Sequence, residues 1–220
     1  MGPVQRISLN WLQSFSIRIM PKLNNQLELN RCSHCGVAKP NLPMSWAAQT
    51  RGHSGDNQRF WKIYKCLTCG GLITASATSD LGQVVQYFPA NVKVHEAISN
   101  PAGDFLQQAI DSIHTPAGSV MLSASSVDAM LKLKGYTDGT LYKRINAAIK
   151  DNIITREMGD WAHEIRLDAN DQRHADSNAE LPSKTDARKC IDFALALAQF
   201  LFVLPQQVQR GLADAGKTTN

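Results

Sequence analysis

The sequence predicts an α+β fold: a small β-rich metal module followed by an all-α helical bundle. Three observations carry that expectation. Two Cys-x-x-Cys-Gly elements, Cys32 to Gly36 and Cys66 to Gly70, stand thirty residues apart. Short β-type runs, Phe60 to Lys65 and Gln83 to Phe88, lie between and after them. Beyond Pro89 the apolar spacing changes to the three-and-four period of helices and stays there.

Residues 1–30 read as an N-terminal arm. Trp11, Phe15, Ile17 and Ile19 give it enough apolar surface to pack on something. Residues 31–90 read as a zinc ribbon. A two-residue gap lets both sulfurs of a pair face one ion while backbone amides of the tight turn point at the thiolates. Gly36 and Gly70 can take the positive φ that such a turn needs. Paired units of this kind, in a chain without an export signal, read as metal ligands before they read as disulfides. The expected centre is one structural Zn²⁺ per chain, held by Cys32, Cys35, Cys66 and Cys69, with no ligand position left open for catalysis. His34 and His53 read as solvated loop residues. Cys190 reads as a small buried hydrophobe.

The helical domain is expected over residues 91–209, with 210–220 as a flexible tail. Pro101 opens a helix carrying Phe105, Leu106, Ala109, Ile110 and Ile113. A small-residue helix runs from about Gly118 to Lys134, and Gly135 stops it. Thr140 caps a third helix and Thr155 a fourth. Ser183 and Asp186 form a capping-box pattern before the last helix, which Pro205 is expected to end.

Composition excludes little. The chain has 220 residues, 43% hydrophobic and 19% charged, the profile of a globular protein. No apolar run reaches the roughly 18–20 residues that cross a bilayer. The stretch from Ile7 to Met20 is broken by polar residues, so export is not expected and the chain reads as cytoplasmic. Net charge is +4, and a four-thiolate zinc site brings it to roughly +2. That is too mild to announce a nucleic-acid ligand by charge alone.

On the fourth helix, Met158, Trp161, Ala162, Ile165 and Ala169 fall on one apolar stripe. His163, Arg166, Asn170, Arg173 and His174 gather on one flank, and Glu164, Asp168 and Asp171 on the other. A solvated amphipathic helix has this pattern. So does a site: Arg166, Asn170 and His174, four residues apart, present a cation, an amide and a titratable imidazole along one groove. That set suits a phosphodiester, and with the substrate's own 2′-hydroxyl it suits metal-independent RNA cleavage.

The stretch from His163 to His174 resembles the signature of the bacterial domain of unknown function 4145. The closing segment Phe200 to Pro205 and the small-residue helix from Ser119 to Leu131 are similar to that family as well. A zinc ribbon is a frequent N-terminal companion there. The resemblance implies a HEPN-like helical bundle, a fold that serves in many RNases of prokaryotic toxin and antiphage systems and commonly pairs as a homodimer. It carries Arg166, Asn170 and His174 over as the candidate catalytic set. The chain departs from the active nucleases in a longer gap between Arg166 and His174, in Ala169 for a glycine, and in Ser125 for an arginine. Two readings follow. One is an endoribonuclease effector. The other is a non-catalytic module that contacts RNA, DNA or a protein partner in a defence system.

Overall fold

The computed structural model describes residues 20–174 and 180–216, except the side chains of 173 and 174. Residues 1–19, most of the expected arm, lie outside that description, and so does the side chain of His174.

Four strands, β1 (Met44–Thr50), β2 (Arg59–Lys65), β3 (Leu72–Ala77) and β4 (Gln86–Phe88), form an antiparallel sheet in sequential order. The second cysteine element, Cys66 to Gly70, is the turn between β2 and β3. The first closes on itself through the bridge Arg31↔Ala38, ahead of β1. One face of the sheet is covered. Tyr64, Ile73 and Ala75 meet Leu23, Leu27, Leu42 and Val84, all essentially fully buried. Leu23 and Leu27 lie in the stretch that the sequence reads as an arm. The segment is tied down by Tyr64, whose hydroxyl donates to the Asn24 carbonyl at 2.7 Å, and by Lys62, whose Nζ donates to the Leu23 carbonyl at 2.9 Å. Burial pushes the Tyr64 hydroxyl up to about 12.

The helical region comprises α1 (Ala102–Asp111), α2 (Pro116–Leu133), α3 (Leu141–Lys150), α4 (Arg156–His174), α5 (Lys184–Ala198) and α6 (Leu204–Asp214). Helix α2 is central and packs against α1, α3, α4 and α5. Close approach needs small side chains. The buried Ser119, Ser123, Ser126, Ala124 and Ala129 supply them. Their hydroxyls are satisfied: Ser119 donates to the Ala109 carbonyl, Ser126 to the Ala102 carbonyl and Ser123 to the Ser119 carbonyl. Capping follows the sequence. Thr140 accepts from the Lys143 amide, and Ser183 with Asp186 makes a complete capping box.

Two expectations differ. Pro205 does not end the last helix. A π-helical turn over Gln199–Val203 widens the spiral, and α6 restarts with proline in its first turn, where a missing N–H costs least. The helix then runs to Asp214, through residues read as tail. Trp161 is not part of the buried stripe either. It lies at the edge, 43% exposed, with its ring 4.9 Å from Phe193.

Candidate metal centre and motif groove

The fold brings the two cysteine elements together. The Sγ atoms of Cys32, Cys35, Cys66 and Cys69 all lie within 4.8 Å of one another, and Cys32 and Cys69 are 3.9 Å apart. A tetrahedral ion with sulfur bonds of about 2.3 Å sets its ligands about 3.8 Å apart, so the cluster fits one. All four cysteines are free of disulfides. Gly36 and Gly70 both have φ +74°, the turn that Cys-x-x-Cys-Gly requires. The His34 amide points at Cys32 Sγ and the Gly71 amide at Cys69 Sγ, each at 3.4 Å. Burial pushes the Cys32 thiol up to about 12. Burial acts the same way on Cys66, but amide donors from Cys69 and Thr68, with the Cys32 and Cys69 thiols, bring it down to about 7.

His34 links the two turns, which the sequence did not reveal. Its Nε2 donates to the Leu72 carbonyl at 2.8 Å, and its ring fills the space that a Cβ on Gly71 would occupy. The first turn also seats the sheet module against the helices. Gly36 abuts Ile113, Arg31 lies 3.7 Å from Asp111, and Asn91 donates to the Arg31 carbonyl.

Arg166 and Asn170 line one open groove of about 790 Å³ between α2, α3 and α4. Opposite them stand Lys132 and Arg144, with Asp128 between. Asp128 accepts from Arg144 at 2.6 Å and pairs with Lys132 at 2.6 Å. Arg144 is nearly buried, its second amino group donates to the Thr137 carbonyl, and its Nε has no partner. The Arg166 guanidinium lies over the Tyr142 ring, 5.4 Å from its centre, and its Nε is likewise unpaired. Tyr142 also meets His163, ring to ring at 4.8 Å. Burial and then the Arg166 charge hold the His163 imidazole below its ordinary value. Its Nε2 donates to Asn146 at 3.3 Å.

The groove's lining, among the described residues, holds three cations, one carboxylate already shared by two of them, and no histidine. His174 belongs to α4, but where its imidazole points lies outside the described residues. Sequence reasoning found Arg166 and Asn170. It missed Lys132, Arg144 and Asp128, whose only local signal was the i,i+4 spacing of Asp128 and Lys132. Ser125 lines the same groove and donates to the Met121 carbonyl.

Comparison with protein families bears on the helical region. Residues 106–214 match the model of the domain of unknown function DUF4145. The helical half is supported as a DUF4145 domain. The matched segment contains α2 to α6, the stretch from Arg166 to His174 and the groove's lining apart from Pro101 and Phe105, and it leaves the sheet and its four clustered cysteines outside. No curated protein and no solved structure matches the chain. Among the described residues, no helix of the DUF4145 domain or elsewhere is long and apolar enough to cross a membrane.

Proposed function

We propose that this chain is a zinc-stabilised, HEPN-like binding module whose groove receives the phosphates of a nucleic acid without cutting them. One observation carries the reading. Arg166, Arg144 and Lys132 converge on a groove whose only carboxylate, among the described lining residues, is neutralised by two of them. Guanidinium groups match phosphate geometry well. Strand scission needs a proton acceptor beside the attacking hydroxyl. Among the described residues, Asp128 is tied up, and His163 sits away from the lining with its ring turned to Tyr142 and Asn146.

The four cysteines serve as ligands of one structural zinc. Their all-sulfur donor set and the closed geometry of the cluster support zinc over harder cations. A homodimer through α6 belongs to the same reading. Use in a prokaryotic defence system rests on the family resemblance alone.

The test is incubation of the full chain with single-stranded RNA. The expected result is binding without cleavage, and an Arg166→Met variant whose salt dependence is shallower by about 0.7 in log–log slope. Cleavage by the wild type to cyclic-phosphate ends, lost in a folded His174→Ala variant, would instead establish the endoribonuclease.

A further inference from the structure

The sheet carries an apolar surface on the side opposite its core, exposed at its Trp46 and Phe88 edges and buried at Ser76. Register places the side chains. Trp46 pairs with Ile63, Ile63 with Thr74, and Thr74 with Phe88, so these four form one row across all four strands. The next row is Ala48, Trp61, Ser76 and Gln86. Strand side chains alternate between faces, so both rows lie opposite the core positions Lys62, Tyr64, Ile73 and Ala75. An antiparallel sheet with one covered face is expected to alternate apolar-in and polar-out. Here the outward face holds two tryptophans and a phenylalanine. Trp46 is 55% exposed and Phe88 54%. Trp61 is half-buried, held by its Nε1 donating to Thr50 at 2.9 Å. Exposed aromatic surface of this kind marks an interaction site.

Charge says what the occupant is. The four strands contain no aspartate or glutamate. Arg59 and Lys65 lie on the outward face at the two ends of β2, both exposed. An anionic partner with flat apolar groups satisfies both features, whereas an acidic peptide leaves the aromatics unused. From a strand spacing of about 4.8 Å, the row from Trp46 to Phe88 spans roughly 14 Å. Four-stranded sheets stack two or three bases on such a face.

We propose that this outward face is a stacking platform for single-stranded nucleic acid, with bases on Trp46, Trp61 and Phe88 and phosphates on Arg59 and Lys65. The proposal deepens the nucleic-acid reading above, but it rests on different residues in a different module. A base is available to stack only when unpaired, so the platform selects single strands over duplex. The groove, which reads phosphates, makes no such distinction.

The experiment measures binding of single-stranded RNA, single-stranded DNA and a matched duplex to the full chain, with intrinsic tryptophan fluorescence as a second readout. Single strands are expected to bind more tightly than duplex and to quench tryptophan emission. Trp46→Ala and Phe88→Ala should each weaken single-strand binding roughly 5- to 150-fold, since stacking on one aromatic is worth that much. Both positions are exposed, so circular dichroism should be unchanged, and Trp46→Phe should restore most of the affinity. Equal affinity for duplex, or full affinity in folded Trp46→Ala and Phe88→Ala, overturns the platform while leaving a groove that depends on Arg166 intact. Single-strand binding that needs the aromatics and ignores Arg166→Met supports the platform and removes the groove. A Trp46→Ala variant that loses self-association instead of nucleic-acid affinity assigns the face to a second copy and overturns the proposal.

Discussion

Ser119 shows how one hydroxyl holds two helices at close range. Its Oγ is fully buried and donates at 2.8 Å to the Ala109 carbonyl, near the end of α1, where helix carbonyls run out of backbone partners. Ser119→Ala leaves that carbonyl to a 3.4 Å contact with Ser112. A buried acceptor stripped of its donor costs about 1–3 kcal/mol, so a denaturant melt should register the change. A second residue gives a pH test. The folded state holds His163 mainly neutral, because burial first and Arg166 second lower its affinity for a proton. The unfolded chain therefore binds more protons below the ordinary value of 6.5, and stability is lost as pH falls through it. His163→Gln keeps a donor for Asn146 and removes the titration. Its melting temperature should change less between about pH 7.5 and 5.5 than that of the wild type.

Elements were legible where local chemistry determines them. The capping box at Ser183, the Thr140 cap and the Gly36 and Gly70 turns each follow from a few neighbouring residues, and each is present. What local chemistry cannot show is which face an element turns to a distant partner. Trp161 falls on the apolar stripe of α4 by spacing, yet it lies at the edge against Phe193 on α5. The Asp128, Lys132 and Arg144 set likewise needed α3 to cross α2. Pro205 misled because a proline stops a regular α-helix, whereas the widened turn before it lets the spiral continue. The resulting α6 has no buried residue. Leu204 is 46% and Val208 52% exposed, and Leu212 follows on the same face. If a second copy covers this stripe, as the proposed homodimer requires, sedimentation should report about twice the 24.2 kDa chain. Val208→Asp should then return it to a monomer with its helical content intact. A wild type that sediments as a monomer removes α6 as a dimer surface.

At the scale of the molecule, two cores of different kinds share one chain. The helical core is large, running from Leu106 through Met130, Ile145 and Phe193 to Leu201, and needs no outside help. Among the described residues the sheet core is small: Leu23, Leu27, Leu42, Tyr64, Ile73 and Val84 are its main large side chains. Cores of that size commonly depend on a metal or disulfides, and the cysteines here are free. On the proposed zinc reading, the ion supplies much of the sheet module's stability, since binding energy at such sites is also folding energy. Elemental analysis should find close to one zinc per chain. Cys66→Ser removes a buried thiol of the four-cysteine cluster at the start of the β2–β3 turn, and the sheet module should unfold. The effect on the helices is bounded by the seam between modules. Among the described residues, that seam includes Gly36 against Ile113, the half-exposed pair Arg31 and Asp111, one hydrogen bond from Asn91, and a small cleft between the first cysteine turn and α5. An ion pair of that exposure contributes about 0–1 kcal/mol. The helical signal of Cys66→Ser should accordingly survive, with a melting temperature only slightly below that of the wild type. Limited proteolysis should cut within the sheet module and spare a fragment containing α1 to α6. A single cooperative loss of helix and sheet together in Cys66→Ser, or wild type prepared without chelator and free of zinc, would count against this division.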